Sequence, residues 1–185
     1  MMTKIRIFAA LAGVLALASL PAVAQTDPHV GGAAMSHSKN IVENASASKD
    51  LTTLVAAVKA AGLVETLESA GPFTVFAPTN EAFDKLPAGT VANLLKPENK
   101  QALAKLLKYH VVAGKMSSSE ILEKIRQSGG KAMLTTVEGA PITATKSGGK
   151  IILTDEKGGK ATISIANVYQ SNGVVHVIDA VLMPN

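Results

Sequence analysis

Residues 74–83 read TVFAPTNEAF, a run of β-formers, a proline and the start of a helix in one short stretch. Thr74, Val75 and Phe76 favour a strand, Pro78 pushes Ala77 toward extended geometry, and Thr79 stands where its hydroxyl can cap a helix carrying Ala82 and Phe83. Phe73, Phe76 and Phe83 are the only phenylalanines beyond residue 8, and the chain has no Trp. The largest core anchors therefore cluster in one strand-turn-helix unit, around which the hydrophobic core is expected to condense.

Helical patterns precede and follow this unit. Residues 39–47 (KNIVENASA) give a helix with Ile41 and Val42 facing the core. Asp50 is the expected cap of a helix whose Leu51, Leu54, Val55 and Val58 follow an i, i+3, i+4, i+7 pattern, and Gly62 ends it. A short amphipathic turn with Leu63, Val64 and Leu67 runs up to the Gly71-Pro72 break. Pro97 suits the first position of a helix extending to Lys108, with Leu103, Leu106 and Leu107 on one face and His110 continuing it. Ser117 and Glu120 have capping-box spacing, and Gly129-Gly130 closes the helix they begin. Beyond Lys131 the runs KAMLTT, PITATK, KIILTD, ATISIANVY and GVVHVIDAVL alternate with turn residues and read as antiparallel strands. Helices followed by strands, with one early strand, define an α+β domain.

The first 24 residues combine Lys4 and Arg6, an apolar run from Ile7 to Leu20, and Pro21-Ala22-Val23-Ala24. This is the pattern of a signal peptide, with cleavage expected after Ala24 and a periplasmic or secreted product. Residues 25–38 (QTDPHVGGAAMSHS) lack periodicity and are expected to be a flexible linker, leaving 39–185 as the folded domain. His29, Met35 and His37 make at most a soft metal site, and a solvated tether is the expected role. The leader holds two basic and no acidic residues, so its removal lowers the formal net charge from +4 to +2. Lysines are scattered and a single Arg remains, which argues against a nucleic-acid binder. With no Cys in the chain, stability rests on the core.

The segment 74–83 resembles the first signature of the fasciclin (FAS1) domain family. Tyr109-His110 is similar to the family's central Tyr-His pair, and NGVVHVIDAVLMP, from Asn172 to Pro184, to its C-terminal signature. The resemblance covers roughly Lys39 to the end of the chain. It implies a wedge-like antiparallel β-sandwich with helices packed around it, and a role in adhesion without enzymatic activity. It also links the Tyr-His pair both to structural integrity and, in animal matrix members, to integrin binding. The Asp-Ile pair that some of those members carry reads Asn167-Val168 here, so its charged half is missing.

Candidate chemistry is thin. Ser36 with Lys39 and Ser46 with Lys49 have Ser-x-x-Lys spacing, but neither Ser-Asp-Asn nor Lys-Thr-Gly follows and no Gly-x-Ser-x-Gly elbow exists, so a hydrolase is the least favoured class. His176 and Asp179, three apart on a strand, face opposite sides and do not form a dyad. No cofactor motif is found. The candidate partner-contact residues are Tyr109, with His110 turned inward beside it, and Thr79, Asn80 and Glu81. The expected partner is a protein or carbohydrate at the cell envelope or outside the cell. The alternative is a periplasmic carrier of a small apolar ligand, which calls for a large closed apolar pocket.

Overall fold

A computed structural model describes residues 27–185. The leader at 1–24 and its cleavage after Ala24 lie outside the described residues. The stretch expected to be a linker is instead part of the domain over its described portion. Strands β1 (His29–Val30) and β2 (Ala33–Ala34) pair antiparallel, and Val30 and Met35 are buried in the main core. The paired glycines are the reason. Gly31 and Gly32 both have positive φ, which a two-residue hairpin turn demands, and a Cβ on Gly31 would stand 2.5 Å from the Asp50 nitrogen. They mark a tight turn pressed against the next segment.

The first helix, α1 (Ile41–Ala47), begins with a capping box between Asn40 and Glu43. Ser48, rather than Asp50, then caps a 3-10 turn at Lys49–Leu51 by accepting from the Asp50 N–H. α2 (Thr52–Ala61) stops at Gly62 in the left-handed conformation, as its sequence predicts. After α3 (Val64–Glu68) comes β3 (Phe73–Pro78), followed by α4 (Asn80–Asp84) and α5 (Thr90–Leu94). Pro97 opens a 3-10 turn at Pro97–Asn99 that leads into α6 (Lys100–Tyr109), and β4 (Val111–Ala113) follows. α7 (Ser118–Gln127) carries the expected capping box of Ser117 and Glu120.

The remaining strands are β5 (Lys131–Thr135), β6 (Pro141–Ser147), β7 (Lys150–Thr154), β8 (Lys160–Gln170) and β9 (Gly173–Ile178). With β3 and β4 they form a seven-stranded sheet in the order β4-β3-β9-β8-β7-β6-β5. Its two ends meet at a Val112–Thr136 bridge and a Val137 N–H to Val111 carbonyl bond of 2.7 Å, so the sheet curls almost into a barrel. Neighbouring strands are antiparallel except for β3 and β9, which run parallel from Phe73↔Gly173 to Pro78↔Ile178. The sheet is thus mixed rather than purely antiparallel, and the α+β class holds.

Two cores lie on its two faces. Val75 and Ala77 of β3 with Val175 and Val177 of β9 pack against α1, α2 and α6. Phe76 and Ile178 point the other way, into a second core with Tyr109, Ile121, Leu134, Ile142 and Leu153. Strands apolar on both faces belong in the middle of a sheet, and the whole of β9 is buried.

Beyond β9 the chain continues without regular structure and closes both cores. Val181 enters the first and Leu182 the second. Its backbone donors are held by side chains: Leu182 N–H by His110 Nε2 at 3.0 Å, Met183 N–H by Asp155 Oδ2 at 2.9 Å, and Asn185 N–H by Glu156 Oε2 at 3.2 Å.

Candidate functional site

The Tyr-His pair is built into the scaffold. His110 terminates α6, where its Nδ1–H donates to the Leu106 carbonyl at 2.9 Å while Nε2 accepts from Leu182. The two bonds fix one neutral tautomer and pin the helix end to the C-terminal segment. Burial pushes the imidazole pKa down to about 4. Tyr109, expected at the surface, is 0 % exposed. Its hydroxyl donates to the Pro141 carbonyl at 3.0 Å, and burial pushes the phenol up to about 12. The helix end runs between the two cores, so adjacent side chains both find protein: Tyr109 belongs to the second core, whereas His110 borders the first. Their rings meet edge-on, with centroids 6.4 Å apart. Neither ring is available to a partner.

His176 is handled in the mirror fashion. Its Nε2–H donates to the Met116 carbonyl at 2.8 Å, Nδ1 accepts from the Asn167 N–H at 3.3 Å, and the ring stacks on Phe76. Burial lowers its pKa too. Asp179 accepts from the Thr162 N–H at 2.7 Å, so the two groups serve separate backbone sites.

The turn after β3 is equally committed. Thr79 Oγ1 accepts from Ala82 N–H, capping α4 as its sequence predicts. Asn80 reaches across to α2, where Oδ1 accepts from Thr53 N–H at 3.0 Å and Thr52 Oγ1 at 3.2 Å, and Nδ2 donates to the Lys49 carbonyl at 2.8 Å. Because Leu51, at the start of α2, has no capping side chain, Asn80 supplies the cap from another helix. Of Tyr109, His110, Thr79, Asn80 and Glu81, only Glu81 is exposed.

Two asparagines that composition does not flag hold the sheet's connections. Asn167, at φ 60 in a bulge of β8, accepts from Ser118 N–H at 2.7 Å and donates to Ser118 Oγ at 2.8 Å, adding a second cap to α7. Asn172 accepts from Ile41 N–H and donates to the Leu67 and Ser69 carbonyls, tying α1 and α3 to the start of β9. In sequence Asn167 lies inside a run that reads as a strand and Asn172 reads as a turn residue, and neither position reveals its distant partners.

The space available to a small ligand is limited. An apolar cavity between α1, α2, α6 and β3, bordered by Leu54, Val58, Leu107 and His110, measures about 30 Å³, room for about one water. An open groove of about 500 Å³ runs beside α7, with Leu122, Glu123, Arg126 and Lys146 on its walls. There the Arg126 fork is occupied by Glu123 at 2.6 and 2.9 Å. Among the described residues no cluster of three His, Cys, Asp or Glu is placed to hold a metal. Met35, considered with His29 and His37 as a soft ligand set, is sequestered in the core. Ser36 Oγ bonds Ser38 Oγ at 2.8 Å.

The fasciclin domain family model matches residues 49–184, and the chain belongs to that family. Protein sll1483 of Synechocystis sp. is 50 % identical over 155 residues, covering 84 % of this chain and 79 % of the relative. The immunogenic protein MPB70 of Mycobacterium bovis is 41 % identical over 145 residues, covering 76 % of this chain and 66 % of its own. In fold the chain is similar to a FAS1 domain pair from the insect cell adhesion molecule Fasciclin I, with a TM-score of 0.70 at 17 % identity, over 78 % of this chain and 51 % of that one. It is a non-enzymatic domain, in keeping with the family. No helix among the described residues is long and apolar enough to cross a membrane.

Proposed function

We propose that this protein is exported to the periplasm or the medium and acts there as an adhesion or envelope interaction module through its outer surface. One observation carries the reading: the histidines and the tyrosine of the family motifs, His110, Tyr109 and His176, all bond backbone groups inside the scaffold. What remains for recognition is the exterior. The carrier alternative loses its main support, since an apolar cavity of about 30 Å³ is far below the roughly 300 Å³ at which small-molecule pockets begin. Similarity to a cell adhesion molecule supports the same reading at the level of fold.

The test is sedimentation of the protein beginning at Gln25 with purified envelope fragments of its own source. Saturable co-sedimentation is expected, and protein that stays in the supernatant would overturn the proposal. Fractionation of cells making the full chain checks export: the periplasm or medium should contain a form starting at Gln25.

A further inference from the structure

Strands β5 to β7 and the first residues of β8 bury one set of alternate residues and leave the other half-buried or exposed. Ala132, Leu134, Ile142, Ala144, Leu153 and Ala161 face the second core, and α7 packs on that same side through Ile121 and Ile125. The opposite face is defined by the cross-strand register. Met133, Thr143, Thr154 and Lys160 form one row across the four strands, and Lys131, Thr145, Ile152 and Thr162 form the next. Each row carries one lysine, on β8 in the first and on β5 in the second, together with two threonines, and Ile152 separates the threonines of the second row. Lys150 extends the same face by one further step along β7.

We propose that this face is a docking surface for a linear acidic polysaccharide, an assignment that rests on the interaction-module reading and names its partner. Charge complementarity carries it. No Asp or Glu occupies an outward position on these four strands, and among the described residues Lys131, Lys150 and Lys160 have no carboxylate within ion-pair distance. Strands about 4.8 Å apart place hydroxyls in a repeating array, with the lysines roughly 14 Å apart across the rows. Such an array suits a polymer that repeats both hydroxyls and anionic groups. Other polyanions fit less well. Neither row contains an aromatic ring on which a base can stack. Nor does either hold a Trp, Tyr or Arg of the kind that anchors protein interfaces, and the one widely exposed apolar side chain, Met133 at 70 %, stands alone at the edge.

Native electrophoresis of the protein from Gln25 onward, in gels containing alginate, tests the proposal against dextran as the neutral polymer. Alginate should retard the protein and dextran should not. The K131Q/K150Q/K160Q variant should lose about tenfold in apparent affinity, and T143V/T154V, which keeps every charge, should also bind more weakly. K59Q/K100Q/K108Q, the same charge change on α2 and α6, should bind as the parent does. Far-ultraviolet circular dichroism verifies folding, and K131Q and K160Q singly replace the triple variant if it unfolds. No retardation by alginate, an equal loss in the α2/α6 variant, or tighter binding to single-stranded DNA or phosphatidylserine vesicles would each overturn the assignment. Alginate failure with continued binding to envelope fragments removes the polysaccharide alone. Failure of both removes the interaction-module reading as well.

Discussion

His110 Nε2 accepts the backbone N–H of Leu182 at 3.0 Å, joining the end of α6 to a segment that follows the last strand. The bond requires an unprotonated Nε2, and the same ring donates from Nδ1 to Leu106. One side chain therefore satisfies two buried backbone groups from parts of the chain 76 residues apart.

Replacing His110 by Ala should lower stability by about 1 to 3 kcal/mol, because both backbone groups lose their partner in a buried setting. Tyr109→Phe should cost about 1 kcal/mol through the lost bond to Pro141, with binding to envelope fragments retained. Urea denaturation of the two variants gives both values. A fully stable His110→Ala protein with selective loss of binding would reassign the ring to a recognition site.

Acid should weaken the fold through the same ring. Its folded-state pKa of about 4 lies below the unfolded value of 6.5, so the unfolded chain takes up the proton first. The stabilisation is complete above about pH 6.5 and is lost as pH falls toward about 4, by roughly 3 kcal/mol in all. Burial of His176 acts in the same direction. Thermal midpoints between pH 7 and 4 should fall more steeply for the parent than for His110→Gln, and parallel curves would contradict this account.

Asn80→Ala should destabilise by about 1 to 2 kcal/mol, since it removes the cap on α2 and leaves the Lys49 carbonyl without its donor. Glu81→Ala, one residue along on the exposed side, should change stability by less than about 0.5 kcal/mol. Equal effects in chemical denaturation would mean that the bridge from α4 to α2 contributes nothing.

Phe76→Ala should cost about 3 to 5 kcal/mol, from lost burial plus the cavity left beside His176. An unchanged denaturation midpoint would remove this strand from the core.

Features with a local period or a local partner were legible in the chain: the Ser117–Glu120 box, the Gly62 stop, the alternation along β5 to β8. What escaped depends on residues distant in sequence. The parallel pairing of β3 with β9 unites segments 100 positions apart, and Asn80 caps a helix that began 28 residues earlier. A neighbour that points inward puts Tyr109 at the surface of a helix with one wet side, but not of a helix that ends between two cores. Gly31-Gly32 signalled flexibility in composition, yet its two positive φ values build the hairpin that fixes the N-terminal segment.

The position of β9 also constrains when the molecule can form. β3 is made early, but until Gly173 and the residues after it emerge it has only β4 at its side, and β8 lacks its inner neighbour. Strands β5 to β8 can pair in order as they are made, but β9, which joins β3 to β8 and lines both cores, is supplied last, so neither core can close before it. Nascent chains arrested before Gly173 should remain open to protease throughout, and a chain in that state is also one that can still be threaded through a translocation pore.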